Sequence, residues 1–204
     1  MQMLAHVERP VYNGRMNTSE PAAEPLPPRE RILMAAHALF YGEGIRATGV
    51  DRIIERSAVS KVTFYRQYAS KDELVRAYLD DRHDKWLSWF RANLAQATGQ
   101  GASAVDALVT TLRIWFSQPD FRGCAFLNAA AELGASDSDI LATVRRHKED
   151  VSSVLEETLG SLSKSTGRAL TLAMDGAIVH AQMGYPIHGV LESFETVVAR
   201  TLRD

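Results

Sequence analysis

From residue 29 onward, apolar positions recur three and four apart, and no stretch alternates with period two for long. Ile32, Leu33, Ala36, Leu39 and Phe40 share one face and predict a first helix over about 29–43, ended by Gly42 and Gly44. A second helix is expected behind Thr48, with Asp51 three residues on as a shortened capping box and Val50, Ile53 and Ile54 turned inward. A third spans Lys61 to Tyr68 behind Ser60. A fourth starts behind Ser70, where Glu73 completes a capping box, and runs to about Ala97 before Gly99 and Gly101. Five more follow: 102–118, closed by Pro119; 124–134; 138 to about 162; 165–184, stopped by Pro186; and 188–202. No Asn-Gly or Asp-Gly turn separates apolar runs, so the pattern predicts an all-α fold of about nine helices without a sheet. Residues 1–28 carry Pro10, Pro21, Pro25, Pro27 and Pro28 among small and charged residues without periodicity, and a disordered tail is expected there.

The third helix breaks the amphipathic rule. Within eight residues it holds Lys61, Thr63, Tyr65, Arg66, Gln67 and Tyr68, a poor core helix and a good reader of nucleic acid. A helix-turn-helix needs an anchoring helix, a sharp turn and a second helix whose outer face enters the major groove. Ser57-Ala58-Val59-Ser60 supplies the turn, with Val59 packing the helices together and Ser60 capping the third. Its inner face would use Val62 and Tyr65 or Phe64. Thr63 and Gln67 suit base edges, whereas Lys61, Tyr65 and Tyr68 suit phosphates. Thr48 and Lys71, like Ser60, stand where helix N-termini offer free N–H groups to phosphate. An ordinary helical hairpin with a polar exposed face fits the same spacing.

Charge supports the first reading modestly. Residues 29–70 hold seven Lys and Arg against four Asp and Glu, while 71–204 hold fourteen against eighteen, a basic module on an acidic body within a chain of net charge −2. The single cysteine, Cys124, permits no intrachain disulfide framework, and a reducing cytoplasm is the expected compartment. In the run Cys124-Ala125-Phe126-Leu127 it reads as a small buried hydrophobe more readily than as a redox sensor. The most apolar long stretch, 169–183, is cut by Asp175 and His180 and is too short to span a bilayer, so no membrane partner is expected; no basic-then-apolar leader pattern is present.

The stretches Ile45-Arg46-Ala47-Thr48-Gly49-Val50-Asp51, then Ser57 through Tyr68, then Ser70-Lys71-Asp72-Glu73-Leu74 resemble the DNA-binding domain of the TetR (tetracycline-repressor-like) family of transcriptional regulators, over roughly 29–75 without a gap. Two positions depart from that pattern: the usual turn glycine is Ala58, and the usual Phe after the recognition helix is Tyr68. A weaker likeness to one C-terminal type in the family continues through Arg122 to Glu132, Arg146-His147-Lys148 and Met174 to Ala177. The resemblance implies a DNA-binding domain over 29–75 and, over 76–204, a helical domain that dimerises and holds a small-molecule effector of unknown identity. It implies a ligand-responsive regulator, most simply a repressor released from a palindromic operator.

Within 76–204, Trp86, Trp89, Trp115, Phe116, Phe126, Asn128, Glu132 and His147 are the candidate effector residues, although the same aromatics would serve an ordinary helical core. Asn128 and Glu132 fall one turn apart in an Ala-rich helix, where a carboxylate must be paired or functional; Arg145, Arg146 or His147 would be its structural partners. Asp80, Asp81, His83 and Asp84 cluster without the Glu-x-x-His motifs of a di-metal bundle, so no metal, no cofactor and no catalytic residue is expected. The last two helices, about 165–184 and 188–202, carry a small-residue stripe (Leu170, Ala173, Ala177, Ala181) beside Met174, Ile178 and Met183, and a second stripe of Leu191, Phe194, Val197 and Val198. These predict a four-helix homodimer seam near His180. A helical ligand-binding or interaction protein whose head no longer binds DNA is the second reading.

Overall fold

The computed structural model describes residues 26–134, 137–160 and 162–203. The expected tail, apart from its last three residues, lies outside them. Among the described residues there are nine helices and no strand. Helix α1 is Pro28–Glu43, α2 Val50–Ser57, α3 Lys61–Gln67, α4 Lys71–Gly99, α5 Ala104–Phe116, α6 Ala125–Leu133, α7 Ser138–Thr158, α8 Lys164–Gln182 and α9 Ile187–Thr201. Pro28 opens α1 at its first position, where the missing N–H costs nothing. Ser60, Ser70, Ser103, Asp137 and Ser163 cap α3, α4, α5, α7 and α8 by accepting backbone N–H groups.

Helices α1 to α3 form a head around Ile32, Ala36, Leu39, Phe40, Ile53, Phe64 and Tyr68, all buried. Helix α4 begins in that core with Leu74, Val75, Tyr78 and Leu79. It then continues into the body, where Trp86, Phe90 and Leu94 meet α5 and α7. In the body α8 packs on both α7 and α9, and α9 closes against α5.

Three expectations about local structure change. Helix α2 is capped by Gly49, not Thr48, because the Thr48 hydroxyl turns back to donate to Gly44 O at 2.7 Å. Val62 faces outward at 78% exposure, and Phe64 alone takes the inner face of α3 that the pattern left open between it and Tyr65. The small-residue and apolar stripes of α8 and α9 largely serve this subunit's own core, since Leu170, Met174, Ala177, Ile178, Leu191, Phe194 and Val198 are buried. Leu172, Met183, Tyr185 and Val197 are the large apolar residues those helices and their connection leave exposed.

Ala58 adopts the left-handed conformation (φ 51°, ψ 44°) that the turn requires, and among the described residues it is the one non-glycine with positive φ. That geometry costs an alanine about 1 kcal/mol relative to glycine. The turn is held by Val59 N–H donating to Ile54 O and by Arg31, whose Nη1 reaches the carbonyls of both Ser57 and Ala58 at 3.1 Å.

Candidate functional site

The outward side of α3 is the first candidate surface. Its cap is tight: Ser60 Oγ accepts the Thr63 N–H at 3.1 Å and lies 2.9 Å from the Thr63 hydroxyl. Lys61, Val62, Tyr65 and Arg66 are exposed, and Thr63 and Gln67 are half-buried. Lys61 lies 3.4 Å from the largely solvated Asp51, a pair too open to hold it away from a phosphate. Arg29 brackets the far end of α3, donating to Gln67 O at 2.8 Å and lying 4.4 Å from the Tyr68 ring centre.

Two expected DNA contacts do not survive. Thr48 is wholly buried, its hydroxyl spent on Gly44 O, and Tyr68 is 1% exposed, wedged in the head core. Both are structural anchors. Lys71 is drawn inward: its Nζ donates to Ile45 O at 2.6 Å, fixing the α1–α2 loop, and burial pulls its pKa down. Sequence reasoning did not place Val62 and Arg66 on this surface, yet both are exposed there, Val62 as an apolar group among polar ones. The polar composition of α3 made Val62 look like the inner residue.

In the body, four of the eight effector candidates come together. Phe126 and His147 stack with ring centres 3.6 Å apart, and Trp86 meets His147 at 5.4 Å and Trp115 at 5.2 Å. Arg82, Cys124 and these four rings line a cavity of only about 10 Å³, roughly one water. The buried Trp86 Nε1–H has no hydrogen-bond acceptor among the described residues. Trp89 and Phe116 pack outside that cavity.

Asn128 and Glu132 serve other ends. Asn128 Nδ2 donates to Arg122 O at 2.9 Å and its Oδ1 accepts from Gln182 at 3.3 Å, fixing the α5–α6 loop against α8. That loop runs so close to α8 that a Cβ on Gly123 (φ 77°) would overlap the Gln182 amide. Glu132 leaves the body altogether. Its Oε2 accepts the Arg46 N–H of the head at 2.7 Å, so its partner is neither Arg145, Arg146 nor His147. Tyr41 makes a second tie, donating to Gly123 O at 2.9 Å and accepting from Arg122 N–H at 3.0 Å.

The acidic cluster on α4 disperses: Asp80 pairs with Arg146 at 2.6 Å, Asp81 with His37 and Lys85 at 2.6 and 2.8 Å, and His83 with His147. Cys124 is buried, with its Sγ 3.6 Å from Lys148 Nζ.

His147 titrates abnormally. Burial, and then the charges of Lys148, His83, Arg146 and Arg82, hold its pKa well below the usual histidine value; burial also lowers His37 against the pull of Asp81. Folded histidines that refuse a proton are destabilising once the unfolded chain accepts one. Stability should therefore fall as pH drops through about 6.5, and a urea series between about pH 7.5 and 5.5 should show it. His147→Gln should flatten that slope. An unchanged slope would place the proton uptake elsewhere.

Comparison with known proteins settles the family. Residues 32–78 match the family model for bacterial regulatory proteins, tetR family. A TetR-family transcriptional regulator from Streptomyces coelicolor, SCO4454, superposes with a TM-score of 0.73 at 33% identity over 87% of this chain and 95% of its own. The chain belongs to the TetR family. It is thereby one of that family's DNA-binding transcriptional regulators. The activator FasR of Mycolicibacterium smegmatis is 34% identical over 91 residues, 45% of this chain and 40% of FasR. The match thus spans under half the length of that relative. CifR, solved with a 26-base-pair operator, shares the TetR fold with a TM-score of 0.69 at 19% identity over 88% of this chain and 98% of its own. Among the described residues no helix is long and apolar enough to cross a membrane.

Proposed function

We propose that this TetR-family chain is a cytoplasmic, homodimeric repressor that binds a palindromic operator through α3 and leaves it when a small molecule occupies the body. The observation that carries the reading is the capped α3, which turns Lys61, Val62, Tyr65 and Arg66 outward while Phe64 and Tyr68 anchor it from beneath. A dimer would form on α8 and α9, where Leu172, Met183, Tyr185 and Val197 stay exposed and a groove of about 340 Å³ opens beside His180 and Tyr185. Two α3 helices held by such a seam would meet half-sites about one turn (~34 Å) apart. The boundary between DNA-binding and effector domains, at about residue 75, falls inside α4, which would carry motion from one to the other. The effector would enter at Trp86, Trp115, Phe126 and His147, whose cavity must widen to admit it.

Of the expected DNA contacts, Thr63 and Gln67 are proposed to read bases, with Ser60 holding Thr63 in place, and Lys61 and Tyr65 to meet phosphates. Thr63→Ala and Gln67→Ala should relax operator preference by about 1–3 kcal/mol at their base pairs. Lys61→Ala should weaken all sequences alike and reduce the salt dependence of binding. Gel-shift titrations across operator variants and salt check both. Unchanged preference in the Thr63 and Gln67 variants would remove them as readers. A reporter transcribed more strongly when the protein is present would assign activation instead of repression.

A further inference from the structure

A cleft of about 840 Å³ separates the head from the body, with α1 and the end of α2 on one side and α4 and the α5–α6 loop on the other. No α3 residue lines it. Five cations border it, Arg31, Arg56, Arg82, Lys85 and Arg122, against one lining carboxylate, Asp120. Their states differ in a way that suits a ligand. Arg82 is 4% exposed, with its guanidinium 3.8 Å from the Tyr41 ring centre, a fixed buried charge in the wall. Arg31 spends Nη1 on the Ser57 and Ala58 carbonyls, while its buried Nε–H has no acceptor among the described residues. Arg122 is exposed, its guanidinium donating to its neighbour's carbonyl, Phe121 O, and Arg56 is exposed beside the turn. Lys85 is shared with Asp81 at 2.8 Å. Met34, half exposed, and Ala38 supply an apolar strip between the cations.

We propose that this cleft binds a small organic anion bearing two or more carboxylate or phosphate groups, at a site that adjoins the aromatic cavity of the body across Arg82, which lines both. Like charges gathered around a recess lower the cost of bringing an anion there, and guanidinium forks match carboxylate and phosphate oxygens two at a time. Arg82 and Arg31 supply the preorganised part, since their positions are already held by Tyr41 and by the turn carbonyls. Arg56 and Arg122 close on the anion from the two rims, one on the head and one on the body. The apolar strip on α1 favours an organic anion over a bare inorganic one. The inference stands on the cleft alone and does not depend on which operator or effector the regulator uses.

The test is calorimetry on the full chain with two probes, citrate for the carboxylate source and inorganic pyrophosphate for the phosphate source, each at about 50 and 300 mM NaCl. The expected result is saturable binding of at least one probe at one site per chain, weaker at the higher salt. Arg56→Glu and Arg122→Glu, both at exposed positions, should each weaken it about ten-fold or more, and Lys61→Ala on the α3 surface should leave it unchanged. Four results overturn the proposal: no saturable binding of either probe, binding indifferent to both charge reversals, binding lost in Lys61→Ala, or binding seen only after deletion of residues 1–25. The last would assign the cleft to the chain's own N-terminal segment.

Discussion

Phe64→Ala is expected to abolish operator binding although Phe64 itself, fully buried, would not meet DNA. Phe64 is fully buried, edge-on to Tyr65 at 5.2 Å and tilted against Tyr68 at 6.5 Å, and it fills the space between α1, α2 and α3. A helix of seven residues has no stability of its own, so α3 exists only because this ring and that of Tyr68 fasten it. Deleting a buried Phe side chain costs about 3–5 kcal/mol, a large share of the ~5–15 kcal/mol that a domain possesses. Hydrogen exchange should show amides of α2 and α3 losing protection while those of α7 and α8 keep theirs. Val62→Ala on the same helix, 78% exposed, should cost under about 0.5 kcal/mol, so any loss of operator affinity there reports contact and not folding. If Phe64→Ala kept both its α3 protection and its operator affinity, the anchoring role of the ring would be wrong.

The contrast between Phe64 and Val62 shows what the sequence made legible. The period of apolar positions placed all nine helices within a few residues of their observed ends, because each must bury one face and most are capped by a Ser or Asp visible in the chain. It failed where one turn holds several residues of similar character. In α3 both Val62 and Phe64 are apolar, and only three-dimensional packing decides which turns inward. Thr48 read as a cap from its spacing to Asp51, yet its methyl and hydroxyl both fit a buried niche behind Gly44, leaving Gly49 to start α2. On α8 and α9 the stripes split: Leu170, Met174, Leu191, Phe194 and Val198 close this chain's own core, and Leu172, Met183, Tyr185 and Val197 are left for the proposed partner, because amphipathicity does not say whether the other side of a seam belongs to the same chain.

Glu132 carries the deeper lesson about the candidate site. A carboxylate in an Ala-rich helix demanded a partner, and the sequence offered only cations near it in the chain. The partner is a backbone N–H in the loop after α1, eighty-six residues away. Together with the Tyr41 hydroxyl on the α5–α6 loop, it fastens α6 to the head independently of α4. The head therefore has two connections to the body, one covalent through α4 and one polar through α6. A change in the packing of Phe126, on α6, and of His147, on α7, would reach the head by the polar route as well as along α4.

Lys148→Met is expected to cost about 2–3 kcal/mol, and the loss should be larger at alkaline pH than at acid pH. Lys148 on α7 and Asp175 on α8 lie 2.5 Å apart with side chains 17% and 20% exposed, and Lys148 also lies 3.6 Å from the Cys124 sulfur at the start of α6. Removing one partner of such a pair strands the other charge in poor solvent; the estimate sits below the 3–5 kcal/mol of fully buried pairs because some water reaches both. Burial already pushes the Asp175 carboxyl up, with Lys148 opposing it. Without Lys148 nothing opposes it, so the folded pKa rises further above the unfolded value. A carboxyl shifted in that direction destabilises the fold fully above its folded pKa, and the penalty disappears only as pH falls to the unfolded value. Urea titrations at about pH 8 and about pH 4 should therefore separate the variant from the parent clearly at the first and weakly at the second. The double variant Lys148→Met, Asp175→Leu should recover most of the loss, because an apolar pair of similar volume escapes the desolvation cost that the ions must overcome. A double variant as unstable as Lys148→Met alone would mean that the ion pair holds α7, α8 and the Cys124 turn in register by contacts no apolar pair can replace.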